Sequence, residues 1–139
     1  MLVQNGEIYN QSELRSRCNT YPWRTSGDSE TILAMHRQGT SADGTARDNP
    51  ADDHAGWVSA LDGMWGFAIW DSRRRELLLC RDSMGVKPLM RTLLPDGTLL
   101  FASEVKAFHA HPEFYPRPDV DALVVRLAYE YPLDMTTLF

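Results

Sequence analysis

Two short segments that stay apolar or small on both alternating faces constrain this fold most. In residues 64–70, Trp65, Phe67 and Ile69 fall on one side of an extended chain, with Met64, Gly66, Ala68 and Trp70 on the other. Leu77-Leu78-Leu79-Cys80 repeats the pattern. A strand without a polar face belongs in an inner layer, so the sheet it joins is predicted to be covered on both sides. The polar residues 71–75 between the two segments suit an antiparallel hairpin turn. Pro95-Asp96-Gly97 predicts a second hairpin between strands at 89–94 and 98–102, since proline presets the turn and glycine accepts positive φ.

Upstream, residues 1–4 read as a short strand that delivers Asn5 to its end. Residues 11–18 read as a polar surface helix that Tyr21-Pro22-Trp23 breaks. A second helix begins near residues 26–28 and runs to 38, with Ile32, Leu33, Met35 and His36 spaced for one buried face and Gly39 as its stop. Residues 40–56 lack a periodic apolar face and read as a long loop or insertion. A short helix starts at 104–109 and a further one covers 119–130. Helices, then antiparallel strands, then helix: this order favours stacked α and β layers over a Rossmann-type alternation.

Composition limits the functions open to such a chain. With 139 residues, 43% hydrophobic and 24% charged, it fits one soluble globular domain or a large piece of one. A net charge of -5 and a densest basic run, Arg73-Arg74-Arg75, that falls in a turn argue against nucleic acid or an anionic membrane as partner. No apolar run is long enough to span a bilayer. The first residues do not read as an export signal, and Cys18 and Cys80 form neither a disulfide framework nor a zinc spacing, so a cytoplasmic location is expected. His54 lies beside Asp52 and Asp53 without a further ligand pattern, and no metal is assigned.

The chemistry concentrates near the start of the chain. Asn5-Gly6 offers a side-chain amide beside a backbone N–H that no Cβ shields, which suits an oxyanion hole; by itself the pair is also a common turn. Asp28, by itself, reads equally as a helix N-cap. Arg81, Asp82 and Lys87 read as residues that fix the loop after a buried strand, and Glu104 with Lys106 as a surface pair.

Five ordered segments carry a resemblance: Asn5-Gly6-Glu7-Ile8-Tyr9-Asn10, Ser26-Gly27-Asp28-Ser29-Glu30, Leu61-Asp62-Gly63-Met64-Trp65-Gly66-Phe67-Ala68, Arg81-Asp82-Ser83-Met84-Gly85-Val86-Lys87-Pro88-Leu89 and Phe101-Ala102-Ser103-Glu104-Val105-Lys106. Together they resemble the glutaminase domain of glutamine-dependent asparagine synthetases, over nearly the whole chain. The resemblance implies an α+β, four-layer α-β-β-α sandwich of antiparallel sheets, the N-terminal nucleophile hydrolase fold. It implies a cysteine at the start of the mature chain that attacks the glutamine side-chain amide, with its own α-amino group as proton acceptor. It further implies that Asn5 (side chain) and Gly6 (backbone N–H) hold the oxyanion. Glu7 and Asp28 would hold the glutamine backbone, Asp28 through the α-ammonium group.

Departures from the family pattern are as informative. The family's nucleophile and the arginine that grips the glutamine carboxylate lie upstream of the Asn-Gly-Glu segment, whereas Asn5 is four residues from Met1. Cys18 matches no family position and, like Cys80, reads as an inert thiol. No Ser-Gly-Gly-Xaa-Asp-Ser type ATP loop occurs. The chain therefore reads as an internal segment, incomplete at the N-terminus of the fold: residues 1–118 a partial glutaminase domain, residues 119–139 a helix and the start of the connection to a synthetase domain. Alone it is expected to be inactive. It needs no cofactor, ATP and Mg being expected only in the synthetase domain; its partners are glutamine, that domain and a homodimer mate, and the ammonia acceptor is aspartate or another carboxylate. The alternatives are a non-catalytic binding or decayed chain with the same fold, and a phosphoribosyl or hexosamine amidotransferase.

Overall fold

In a computed structural model the chain is described at residues 1–38, 54–130 and 137–138. The expected inner strand forms as β2 (Gly63–Asp71), central in a sheet of order β1-β2-β3 with β1 (Leu2–Ile8) and β3 (Glu76–Arg81), all antiparallel. The β1–β2 register pairs Leu2 with Ile69, Gln4 with Phe67, Gly6 with Trp65 and Ile8 with Gly63. The even residues of β1 thus share a face with the aromatic side of β2, as period-2 alternation requires.

That face carries the core. Ile8, Leu14, Cys18, Ile32, Met35, Trp57 and Phe67 are all at most 1% exposed. They come from β1, from α1 (Gln11–Arg17) and its C-terminal Cys18, from α2 (Asp28–Gln38), α3 (His54–Val58) and β2. Trp57 stacks on Phe67 with centroids 6.0 Å apart, and Cys18 Sγ lies 3.6 Å from Met35 Sδ. Each large apolar side chain taken out of water here contributes about 1.5–3 kcal/mol before entropy is subtracted.

Several expectations need correction. The first strand continues to Ile8, so Asn5 sits in its middle and not at its end. Helix α1 is not a surface helix throughout, because Leu14 closes against the core. On α2, Ile32 and Met35 are buried as expected, joined by Thr31 and Ala34, while Leu33 and His36 are only half-buried. Residues 54–56 belong to α3 and not to a loop; Gly39 and residues 40–53 lie outside the described residues.

The sheet is also not fully covered. On the face away from the helices, a Cβ added at Gly66 would stand 3.5 Å from the Pro88 carbonyl, so the chain at 87–89 caps the middle of β2. Trp70 lies beyond that cap and stays 39% exposed, as does Val3 at 52%.

The second hairpin forms as β4 (Met90–Leu93) and β5 (Leu99–Ala102), a separate two-stranded sheet. Residues Val105–Ala110 form a 3-10 helix that ends at His111, which is extended because Pro112 follows it. Helix α4 (Val120–Tyr129) starts where the Asp119 side chain accepts the Ala122 N–H at 3.0 Å, and ends at Glu130 in the left-handed region.

Candidate functional site

Strand β1 is the edge of its sheet, and its edge is where the candidate residues meet. Met1 and Trp70 exchange backbone bonds of 2.8 and 2.9 Å, and Tyr9 donates to the Asp62 carbonyl at 2.8 Å. The odd residues of β1 therefore bond to β2, and the even ones, Gly6 included, direct their N–H groups at the open side. Ile8 confirms the alternation, since its amide reaches outward to Asp28 Oδ2 at 3.0 Å.

Gly6 has a second reason to be glycine. Its φ is +125°, and a Cβ there would lie 2.0 Å from the Met64 carbonyl oxygen. Gly63, its near neighbour across the strands, has φ +144° and would set a Cβ 2.2 Å from the Glu7 carbonyl. The two glycines let β1 and β2 approach closely at the point where the candidate oxyanion donor sits.

Asn5 and Glu7 lie on the face opposite to Gln4 and Ile8. The Asn5 side-chain Nδ2 donates to Ser103 Oγ at 3.4 Å, a long bond that links the end of β5 to β1. Glu7 is exposed at the same edge. Asp28, the first residue of α2, is half-buried; it is not tied to its own helix as a cap but to β1, accepting from the Gln4 Nε2 at 3.0 Å as well as from Ile8. Glu30 ties down the preceding loop: its carboxylate accepts from the Arg24 and Thr25 amides and from the Thr25 hydroxyl, and the Thr25 hydroxyl above all holds its pKa below the usual value.

Asn5, Gly6 and Glu7 are thus consecutive on β1, and Asp28 is bonded to the same strand through Ile8 and Gln4, with the Asn5 and Glu7 side chains on the face opposite to Gln4. Sequence reasoning missed Gln4, Ser29, Gly63 and Ser103. Gln4 carried a signal: a polar residue at an inward position between Leu2 and Ile8 breaks the alternation and calls for a polar partner.

The loop after β3 works as expected. Asp82, 6% exposed, accepts the amides of Lys87 (2.9 Å), Val86 (2.9 Å) and Trp65 (3.3 Å), and these bonds, Lys87 first, hold its pKa below the ordinary carboxylate value. Arg81 donates to the Lys87 carbonyl at 2.9 Å and to that of Gly85. Lys106 and Glu104 pair at the surface.

Neither cysteine has the environment of a nucleophile. Cys18 is fully buried, and burial pushes the Cys80 thiol up to about 11. Among the described residues no cluster of three or more His, Cys, Asp or Glu side chains is arranged for a metal, and no helix is long and apolar enough to cross a membrane. A concavity of about 990 Å³ between β4, the 3-10 helix and α4 includes none of the four candidate residues in its lining.

Helices packed on an antiparallel sheet, with a second antiparallel hairpin beside it, make this an α+β protein. The fold is shared with the glutamine phosphoribosylpyrophosphate amidotransferase of Bacillus subtilis, at a TM-score of 0.66 and 24% identity over 84% of this chain and 24% of that one. The chain belongs to the glutamine amidotransferase domain family, whose profile matches residues 1–139. It is 33% identical over 112 residues to the glutamine-hydrolysing asparagine synthetase 2 of Bacillus subtilis, covering 81% of this chain and 13% of the relative. It is also 40% identical over 110 residues to a putative glutamine-hydrolysing asparagine synthetase of Mycobacterium tuberculosis, covering 76% and 14%. The chain thus spans a small part of the curated relatives' length.

Proposed function

We propose that this chain provides the oxyanion-hole and ammonium-binding side of a glutaminase site, which releases ammonia in the cytoplasm for an ATP-activated carboxylate held in a synthetase domain. ATP and Mg belong to that domain, and residues 119–139 lead toward it from a glutaminase unit at 1–118. Aspartate or a related acid is the acceptor.

In this reading a cysteine thiolate attacks the side-chain carbonyl carbon of glutamine, and the C=O electron pair moves onto oxygen. Asn5 Nδ2–H and Gly6 N–H receive that oxyanion; the C–N bond breaks and ammonia departs with a proton from the nucleophile's amine. Water then cleaves the thioester to glutamate. Asp28 and Glu7 hold the substrate backbone, because an ammonium group needs a carboxylate partner. Cys18 and Cys80 take no part.

The observation that supports this best is the outward direction of the Gly6 N–H at an unpaired strand edge, beside Asn5 and one helix start from Asp28. Steady-state glutaminase kinetics of the gene's complete product test it. Glutamate release that Asp28→Asn weakens through a higher KM is expected; absence of glutamine hydrolysis, or an unchanged KM in that variant, would overturn the reading.

A further inference from the structure

Gln4 and Ser29 form a clip on Asp28 that no family resemblance assigns. The Gln4 carboxamide donates Nε2–H to Asp28 Oδ2 at 3.0 Å, and its Oε1 accepts the Ser29 hydroxyl at 2.6 Å. Turning the amide over would set Oε1 against Oδ2, two acceptors with no proton between them, so the carboxylate charge itself fixes which way Gln4 faces. With the Ile8 amide also on Oδ2, at 3.0 Å, that oxygen holds two donors, and no donor among the described residues takes up Oδ1.

The geometry points to Gln4 and Ser29 as positioning residues that make the site select the α-ammonium group of glutamine, by anchoring one oxygen of Asp28 and presenting the other at a fixed place. This rests on the reading of Asp28 given above. A charge-assisted bond depends steeply on distance and direction, so a carboxylate free to rotate would lose part of its preference for an ammonium while leaving contacts to the rest of the substrate intact. Neither Gln4 nor Ser29 touches the reacting amide in this account; both act through Asp28.

The test compares kcat/KM for glutamine with kcat/KM for 4-carbamoylbutanoate, which is glutamine without its α-amino group, in steady-state hydrolysis by the gene's complete product. Gln4→Leu is expected to lower kcat/KM for glutamine about tenfold, the scale of one lost hydrogen bond to a charged group, and to leave that for 4-carbamoylbutanoate unchanged. Ser29→Ala, at an exposed position that folding tolerates, is expected to move the ratio in the same direction by less. Equal lowering for both substrates in Gln4→Leu and no change of ratio in Ser29→Ala would overturn the positioning role. Asp28→Asn separates the two layers: a ratio that persists in that variant refutes the reading of Asp28 itself, whereas a ratio that collapses there yet persists in Gln4→Leu refutes only the clip.

Discussion

The Ile8 amide donates to Asp28 Oδ2 at 3.0 Å across twenty residues of sequence, so one carboxylate fastens the start of α2 to the open edge of β1. Asp28 therefore has a structural duty beside any ligand. Replacing it by alanine strands the Ile8 N–H and the Gln4 amide, and the expected cost is about 1–3 kcal/mol in urea unfolding. Asp28→Asn keeps an acceptor for both donors and is expected to cost less, so a ligand defect in that variant reports on charge and not on unfolding.

Gly6 and Gly97 both have positive φ, yet they predict different outcomes on substitution by alanine. At Gly97 a Cβ meets nothing within 4 Å, and only the left-handed backbone is strained, at about 1–2 kcal/mol. At Gly6 the same strain adds to a Cβ placed 2.0 Å from a backbone oxygen, so β1 must separate from β2. Thermal unfolding should show a modest drop in Tm for Gly97→Ala and a severe loss of folded protein for Gly6→Ala.

Asp82 predicts a pH dependence with a definite sign. Its pKa is lowered in the folded state by the Lys87, Val86 and Trp65 amides, so its stabilisation is fully present above the unfolded value near 3.8 and is lost as pH falls through the lower folded value. The stability difference between the wild type and Asp82→Asn should hold constant from neutral pH to about 5 and shrink below 4. Urea midpoints measured across that range check it.

The thiols should be silent in the native state. A Cys80 pKa of about 11 leaves little thiolate at neutral pH, and Cys18 is shut in the core. Reaction with a disulfide reagent at pH 7.5 should be slow until denaturant is added, and Cys80→Ser should leave glutamine hydrolysis unchanged.

Where the sequence was readable, local chemistry and tertiary structure agreed. The two-sided apolar run at 64–70 became the central strand, Pro95-Asp96-Gly97 became a hairpin, and Asp82 organised the loop it borders. The misreadings came from partners far away in sequence. Strand β1 outruns its apolar residues because its pairing with β2 carries it through Asn5, Gly6 and Glu7, which have weak strand preference of their own. Leu14 makes a helix of polar composition partly a core element. The exposure of Trp70 depends on how far the chain at 87–89 reaches, which no local pattern encodes. Of the candidate site, the types of group were legible; that Asp28 is held by Gln4 and Ile8 required the placement of α2 against an edge strand.

The most direct test of the central claim is the turnover of Asn5→Ala in glutamine hydrolysis by the gene's complete product, with glutamine affinity measured alongside. Loss of one oxyanion donor should lower kcat roughly a hundred- to a thousandfold while binding is largely kept. An unchanged kcat in Asn5→Ala would contradict the account.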